Sequence, residues 1–112
     1  MSLARMIRKS GQTLTHQRPD DAREPGGGRS RAWSTLASSV SCWLQPARAS
    51  IVQHWAALNT AVTVSVYTTT DLAARADDRL VLSSGQTVLV AGQLDQAGLG
   101  KLYRVDGKEI AG

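Results

Sequence analysis

The chain has 112 residues, 42% of them hydrophobic and 20% charged, so it is expected to form one domain with a modest core and not to be disordered as a whole. A single cysteine excludes an intramolecular disulfide and fits a reducing compartment, and no apolar run approaches the ~20 residues that span a bilayer. The net charge of +4 is uneven, because residues 1–56 hold eight Lys/Arg against three Asp/Glu, whereas residues 57–112 hold five against six.

The N-terminal half predicts two strands that a long loop separates. Residues 12–18 are rich in β-formers and stop at Pro19, which predicts a first strand at a sheet edge. Residues 20–30 are polar and contain a proline and three consecutive glycines, a composition typical of a long flexible loop. Alternating apolar residues over 32–45 then predict a long, bent strand.

The next segment changes from a strand period to a helical one. Ser50 and Gln53 have the spacing of a capping box, which predicts a helix that begins there. Ile51, Trp55 and Leu58 follow at i, i+4 and i+7 and form one apolar face. That face could pack on the chain's own sheet, or it could dock on a neighbouring subunit with Trp55 as an anchor of the kind common at interfaces.

Period-two alternation returns after the helix and predicts a meander of at least four strands, at 61–67, 79–82, 87–90 and 102–105. The Ser-Ser-Gly-Gln turn at 83–86 marks a hairpin, and Asp106-Gly107 is expected to interrupt the last strand. The predicted fold is therefore mainly β: a small antiparallel β-barrel or sandwich with one short helical insert and a long flexible loop. We expect residues 1–10 to form a flexible basic tail and residues 11–112 a single β-barrel domain.

Catalytic and metal-binding groups are scarce. His16, His54 and Cys42 match no zinc pattern, so no metal and no cofactor are expected. Cys42 and His54 could form a nucleophile–base pair only if Cys42 were reactive, yet it lies on the same strand face as apolar neighbours, where cysteine behaves as a small apolar residue. Adjacent Asp77 and Asp78 are explained by turn formation. The sequence predicts that the protein is not an enzyme.

Binding to nucleic acid is an alternative function that the basic N-terminal half keeps open. Four arginines are candidates for contact with nucleic acid or with a protein partner: Arg23, Arg29, Arg31 and Arg48. A small OB-like nucleic-acid-binding module would also need aromatic side chains on an exposed sheet face. Trp33, Trp43 and Tyr67 are candidates, but each lies within an apolar alternation that favours the core.

The order of these segments resembles the small head–tail joining proteins of long-tailed bacteriophages, also called head-closure or stopper proteins. The resemblance extends over residues 11–110 and rests on loose motifs in a shared order. They are Leu14-Thr15-His16-Gln17-Arg18-Pro19, a polar glycine-bearing loop, Trp33 and a strand leading to Pro46, the partly helical insert 47–59, the strand 62–67, Asp71-Leu72, Asp78-Arg79-Leu80-Val81-Leu82, and Gly85-Gln86-Thr87-Val88-Leu89-Val90-Ala91-Gly92.

The resemblance implies a structural role in the virion. Such proteins form a homo-oligomeric ring below the portal and its adaptor, help retain packaged DNA, and dock the tail. It implies a protein made in the host cytoplasm and located in the virion neck, with itself, the portal or adaptor above and tail proteins below as partners, possible non-specific contact with DNA, and no membrane. The loop 20–31 and the insert 47–59 are the expected contact elements. A tail-completion or tail-terminator protein of the same neck region is the nearest alternative.

Overall fold

The computed structural model describes Ile7 and residues 11–23, 29–95 and 100–110; for residues 20–23 and 29–31 this description is of the backbone. The expected basic tail lies outside these residues apart from Ile7, which is fully buried. The glycine run at 26–28 also lies outside them.

Seven strands and one complete helix form the described part of the chain. They are β1 (Thr13–Arg23), β2 (Arg29–Ser41), β3 (Trp43–Pro46), α1 (Ala49–Ala56), β4 (Val64–Thr68), β5 (Arg79–Leu82), β6 (Thr87–Asp95) and β7 (Tyr103–Ile110). All pair antiparallel in one sheet with the order β2-β1-β5-β6-β7-β4-β3, and the sheet is curled into a half-barrel. The predicted mainly β fold with one short helical insert is confirmed.

The two ends of this sheet are joined by a single residue of the chain. β2 and β3 are the first and last strands in the spatial order, yet only Cys42 separates them in sequence. The Cys42 N–H donates to the Gln12 carbonyl at 3.0 Å, and the Thr68 hydroxyl donates to the Ser41 carbonyl at 3.0 Å. The predicted long, bent strand is therefore present, and its bend at Cys42 brings the ends of the sheet together.

The inner face of the curled sheet forms the hydrophobic core. Because strand residues alternate between faces, one side chain in two points inward, as in β5, where Leu80 and Leu82 are buried and their neighbours are half-buried. The sequence has no phenylalanine, and the core consists mainly of branched aliphatic side chains. Its buried members are Leu14, Cys42, Val64, Val66, Leu72, Leu80, Leu82, Val88, Val90 and Val105.

β1 and β2 continue past the barrel as a two-stranded ribbon, here called the arm (residues 18–23 and 29–34). β1 pairs with β5 only as far as Gln17, whereas its pairing with β2 continues to Arg23 opposite Arg29. The molecule is accordingly elongated, 55 Å by 33 Å by 27 Å. β1 and β2 both extend into the range predicted as a loop, and residues 24–28 of that range lie outside the described residues.

Two predictions about β1 are wrong. Pro19 does not end the strand; it lies opposite Trp33 within the arm, where β1 has only one neighbouring strand and a missing N–H need not break a ladder. β1 is also not the edge strand over its barrel portion. It lies between β2 and β5, and β2 is the edge.

The predicted four-strand meander is partly wrong. β5, β6 and β7 do follow one another through the sheet, and the Gly85 turn has the positive φ of 95° that favours glycine. β4, however, pairs with β3 and β7 and not with β5. The chain therefore crosses from β4 to β5 through residues 69–78, a Greek-key connection that runs past the base of the arm.

The helix begins earlier than predicted and ends with a left-handed residue. Its N-cap is Arg48, which forms no side-chain capping bond, so the predicted Ser50 capping box is wrong. At the other end, Asn59 has a φ of 59°, and the Thr60 N–H donates to the Trp55 carbonyl at 2.9 Å. This pair of features is a Schellman-type end, in which a left-handed residue stops the helix.

Asp106 and Gly107 lie in the middle of β7, where an interruption was expected. Asp106 is fully buried and hydrogen-bonded, and Gly107 pairs with both Val64 and Val90. A Cβ on Gly107 would come within 2.5 Å of the Leu89 carbonyl oxygen. This glycine therefore serves close strand packing and forms no turn.

Gly107→Ala is expected to destabilise the protein by about 2–3 kcal/mol, because the added methyl group has no space against backbone that cannot move aside. Urea unfolding followed by circular dichroism measures the loss. Ser34→Ala, on the exposed arm, is the control and should stay within about 0.5 kcal/mol. A Gly107→Ala protein as stable as the control would contradict this account of β7.

Candidate functional site

Three of the four candidate arginines lie together near the end of the arm. Arg23 and Arg29 are directly opposite each other across β1 and β2, and Arg31 lies two residues further along, opposite Asp21. Arg48 is not with them; it is exposed at the N-cap of α1. The arm therefore concentrates the basic residues that the sequence singled out, and the insert carries the fourth separately.

The predicted apolar face of the helix divides into an inward and an outward part. Ile51 is buried, and Trp55 is half-buried against the sheet. Leu58 lies beyond the last helical residue and is 59% exposed. Of the three candidate interface residues, Leu58 is thus the one that presents most of its side chain to a neighbour.

Asp106 fastens the helix to the outer side of the sheet. Its Oδ2 accepts a hydrogen bond from Trp55 Nε1 at 2.8 Å, and its Oδ1 accepts one from Ser65 Oγ at 3.0 Å. Arg104 Nε forms an ion pair with Oδ1 at 3.0 Å, although its N–H is not aimed at that oxygen. The Trp55 ring lies over Gly92, where a Cβ would be only 2.8 Å from its Cη2.

A second buried carboxylate, Asp78, lies at the base of the arm. Its Oδ2 is 2.8 Å from His16 Nε2 and 3.1 Å from Arg18 Nη2, and its Oδ1 accepts from Arg18 Nε at 3.1 Å. The backbone N–H of Arg75 also donates to it at 2.9 Å, and Arg18 Nη2 reaches the carbonyl of Ala73 at 3.3 Å. The cluster joins β1 to the 69–78 connection.

The environment of Asp78 favours its charged form. Burial alone would raise the pKa of this carboxyl, but the hydrogen bonds from Arg18, from the Arg75 N–H and from His16, with the positive charge of Arg18, outweigh that effect and lower its pKa. The same pairing raises the pKa of Arg18. The carboxylate therefore stays ionised well into the acid range.

Arg79, the next residue along, faces the outer side of the arm base. Its Nε donates to Gln17 Oε1 at 2.6 Å, and its guanidinium carbon lies 4.0 Å from the centroid of the Trp33 ring. Gln17 in turn donates to Thr35 Oγ1 at 3.3 Å. The Trp33 ring therefore packs against Arg79, and this contact within the subunit covers one face of the ring.

Neither carboxylate cluster is predicted by the sequence patterns. Asp78 was assigned to a turn, and Asp106 to an interruption of the last strand. One signal was present for the first cluster: His16 is two residues from Leu14 on the same strand face, so an inward-facing histidine needed a buried partner. Nothing comparable in the sequence indicated that Trp55 and Asp106, 51 residues apart, would meet.

The geometry gives Cys42 no catalytic arrangement. Desolvation in the core raises its pKa to about 11, so little thiolate forms near neutral pH. His54 is exposed on α1 and lies edge-on to Trp55. Within residues 11–23, 29–95 and 100–110, no group of three or more His, Cys, Asp or Glu side chains is placed to hold a metal ion.

One cleft lies beside the C-terminal end of α1. It has a volume of about 320 Å³, and its lining is Asn59, Thr60, Ala61, Ala76, Asp77, Leu89, Val90, Ala91 and Lys108. The lining carries one acidic and one basic side chain, and none of it belongs to either carboxylate cluster. Separately, the described helices include none with the length and apolar character needed to cross a membrane.

Comparison with known proteins shows a similarity of fold. No protein family and no curated protein sequence matches the chain. Among solved structures, the chain is similar to the solution structure of protein SF1141 from Shigella flexneri 2a, with a TM-score of 0.67 and 17% sequence identity over 89% of this chain and 92% of that one. At this identity the similarity shows that the two chains share a fold.

Asp78→Asn is expected to lower the melting temperature at pH 7, and the difference from wild type should shrink as the pH falls. A carboxyl whose pKa is lowered on folding stabilises the protein above its unfolded pKa, ~3.9, and this stabilisation is lost as the pH falls from there through the folded pKa. Thermal unfolding between pH 7 and pH 2 measures it. Asp77→Asn, at the exposed neighbouring carboxylate, is the control, and its difference in melting temperature from wild type should not shrink in this way. A melting-temperature difference for Asp78→Asn that does not change with pH would contradict the role given to Asp78.

Trp55→Phe is expected to destabilise the protein by about 1.5–3 kcal/mol, because the buried Asp106 carboxylate loses the indole N–H that it accepts from. Chemical denaturation gives the value. Trp43→Phe, at another half-buried tryptophan, is the matched control and should cost about 1 kcal/mol or less. Equal losses in the two variants would show that the bond to Asp106 contributes little.

Proposed function

We propose that this protein is a head-closure, or stopper, protein of a long-tailed bacteriophage, which forms a ring in the virion neck below the portal and adaptor, retains the packaged DNA and docks the tail. The sequence resemblance implies a small β-barrel with a long loop and a helical insert. The chain has a curled sheet and α1 between β3 and β4, and in the region of the expected loop the outer parts of β1 and β2 form the arm. This arrangement of parts supports the proposal, and the function is carried by surfaces and not by a reactive centre.

The arm is the observation on which the proposal chiefly rests. Two-stranded ribbons are marginally stable alone, so a ribbon that extends beyond its own barrel gains stability from packing against neighbours. Among the described strands, none pairs with the outer side of β2 or with the arm portion of β1. A rotationally repeated contact between copies would cover such edges and close into a ring.

The charges near the end of the arm favour an anionic partner. The backbone positions of Arg23 and Arg29 are directly opposite each other, so the sequence places two positive charges at one level of the arm. DNA phosphates in a channel, or an acidic patch on the adaptor, would be attracted to this concentration of charge. In this proposal Arg31 belongs to the same contact, Arg48 and Leu58 lie at the adaptor or subunit interface, and Ile51 and Trp55 hold the insert in position.

The OB-like alternative has less support. A single-strand binder stacks bases on exposed aromatic rings. Tyr67 is buried, and Trp33 already packs against Arg79. The described sheet therefore presents few free aromatic faces, and non-specific contact through the arm is the form of DNA binding that the chain favours.

Deleting the coding sequence from a phage that carries it tests the function. We expect DNA-packaged heads that do not join tails, with joining restored when the wild-type chain is supplied in trans. Supplying Arg23→Gln/Arg29→Gln/Arg31→Gln should lower the yield of DNA-retaining particles, whereas Arg75→Gln, an exposed arginine outside the arm, should restore it fully. Averaged electron micrographs of the neck should show a ring between adaptor and tail.

Two outcomes would count against the proposal. Infectious particles of normal yield without the chain would remove it from the neck altogether. A ring found on the tail side of the joining interface would instead support the tail-completion role.

A further inference from the structure

Two consecutive residues, the last of the 69–78 connection and the first of β5, contact opposite faces of the arm base. Asp78 contacts Arg18 on the inner face of β1, and Arg79 contacts Gln17 and Trp33 on the outer face. Neighbouring residues of an extended chain point to opposite sides, so a single Asp-Arg step can reach both faces of the same ribbon. The sequence resemblance includes this step without giving it a role.

The backbone is irregular at the base of the arm, where Asp78 and Arg79 make these contacts. β1 loses its pairing with β5 after Gln17. The pairing of β1 with β2 shifts register twice, once between Leu14 and His16 and once between His16 and Gln17. The second shift is a bulge in which Leu36 of β2 is the extra residue. Bulges disrupt the ladder and let a strand bend, so the base of the arm is the place at which a change of angle breaks the fewest backbone hydrogen bonds.

The inner contact, between Asp78 and Arg18, is strong, although solvent reaches its arginine. Asp78 is almost fully buried, whereas the Arg18 side chain is 30% exposed and bonds both to Asp78 and to the carbonyl of Ala73. Charge-assisted pairs of this geometry are stronger than neutral hydrogen bonds. The inner contact therefore ties the arm to the 69–78 connection through a side chain that solvent can reach.

The outer contact joins both strands of the arm. Arg79 bonds Gln17 on β1 and covers the ring of Trp33 on β2, and Gln17 itself bonds Thr35 on β2. A planar guanidinium can stack on a ring and donate a hydrogen bond at its edge at once, which an ammonium group cannot do as well. The pair thus holds β1 and β2 in one orientation relative to β5.

We propose that Asp78 and Arg79 form a two-sided clamp that sets the angle of the arm, and that opening either side lets the arm swing about its bulged base while the barrel stays folded. The clamp is a conformational device of this chain. It follows from contacts within one subunit and does not depend on the proposed role in a phage neck.

Distance measurements between two spin labels test the clamp, with one label at Ser30→Cys in the arm and one at Ala57→Cys beside α1. Cys42 is buried with a raised pKa and should stay unlabelled under mild conditions. Ser30 is five positions along the strand from Thr35, a distance of ~17 Å, so a modest tilt of the arm moves the label by several ångströms. We expect one narrow distance distribution in the otherwise unchanged protein.

Arg18→Gln and Arg79→Gln should each broaden or shift that distribution by about 5 Å or more. Arg79→Lys, which keeps the charge but not the planar fork, should resemble Arg79→Gln. Arg75→Gln is the matched control, because this exposed arginine lies in the same connection and contributes its backbone N–H to the cluster. Its distribution should equal that of the parent protein.

Hydrogen exchange provides the second readout. In Arg18→Gln and Arg79→Gln, amides of residues 18–23 and 29–34 should exchange about tenfold faster or more, while those of β6 and β7 change by less than about twofold. The proposal is overturned if the distances match those of the Arg75→Gln control, or if exchange rises equally in the arm and the barrel, which would make the two residues general stabilisers of the fold.

Discussion

The continuity of β2 and β3 through Cys42 is the constraint on which the rest of the structure depends. Since one bent strand supplies both ends of the sheet, the sheet must curl until those ends meet. β2 then pairs only with β1. The part of β2 that extends beyond the barrel therefore stays paired with β1 and forms the arm. The arm and the curl of the sheet are two consequences of the same strand.

Buried carboxylates attach the arm and the helical insert to this curled sheet. The core is apolar and small, and neither the arm nor the helical insert contributes many side chains to it. Asp78 holds the base of the arm from inside the barrel, and Asp106 holds the insert on the outer surface. A buried acid is costly unless it is fully paired, so each attachment is specific for one geometry and fails sharply if a partner is lost.

Local patterns were sufficient to predict most of the strands, the bend before Pro46, the Gly85 hairpin and the position of the insert, because alternation and turn residues act over a few positions. They were insufficient wherever a distant partner decided the outcome. Pro19 is tolerated because β5 does not reach it, and Asp106-Gly107 stays extended because Trp55, Ser65 and Leu89 surround it. The arginines near the arm end were identified by composition, whereas the clamp and the carboxylate clusters join residues up to 62 positions apart.

The positions of the three tryptophans have a practical consequence. Trp33 lies at the base of the arm under Arg79, Trp43 begins the strand after the bend, and Trp55 lies between the insert and the sheet. The chain has no phenylalanine and only two tyrosines, so indole emission dominates its fluorescence. Variants that keep one tryptophan each would report optically on the arm, the junction or the insert, and time-resolved emission could follow the order in which these regions respond during unfolding.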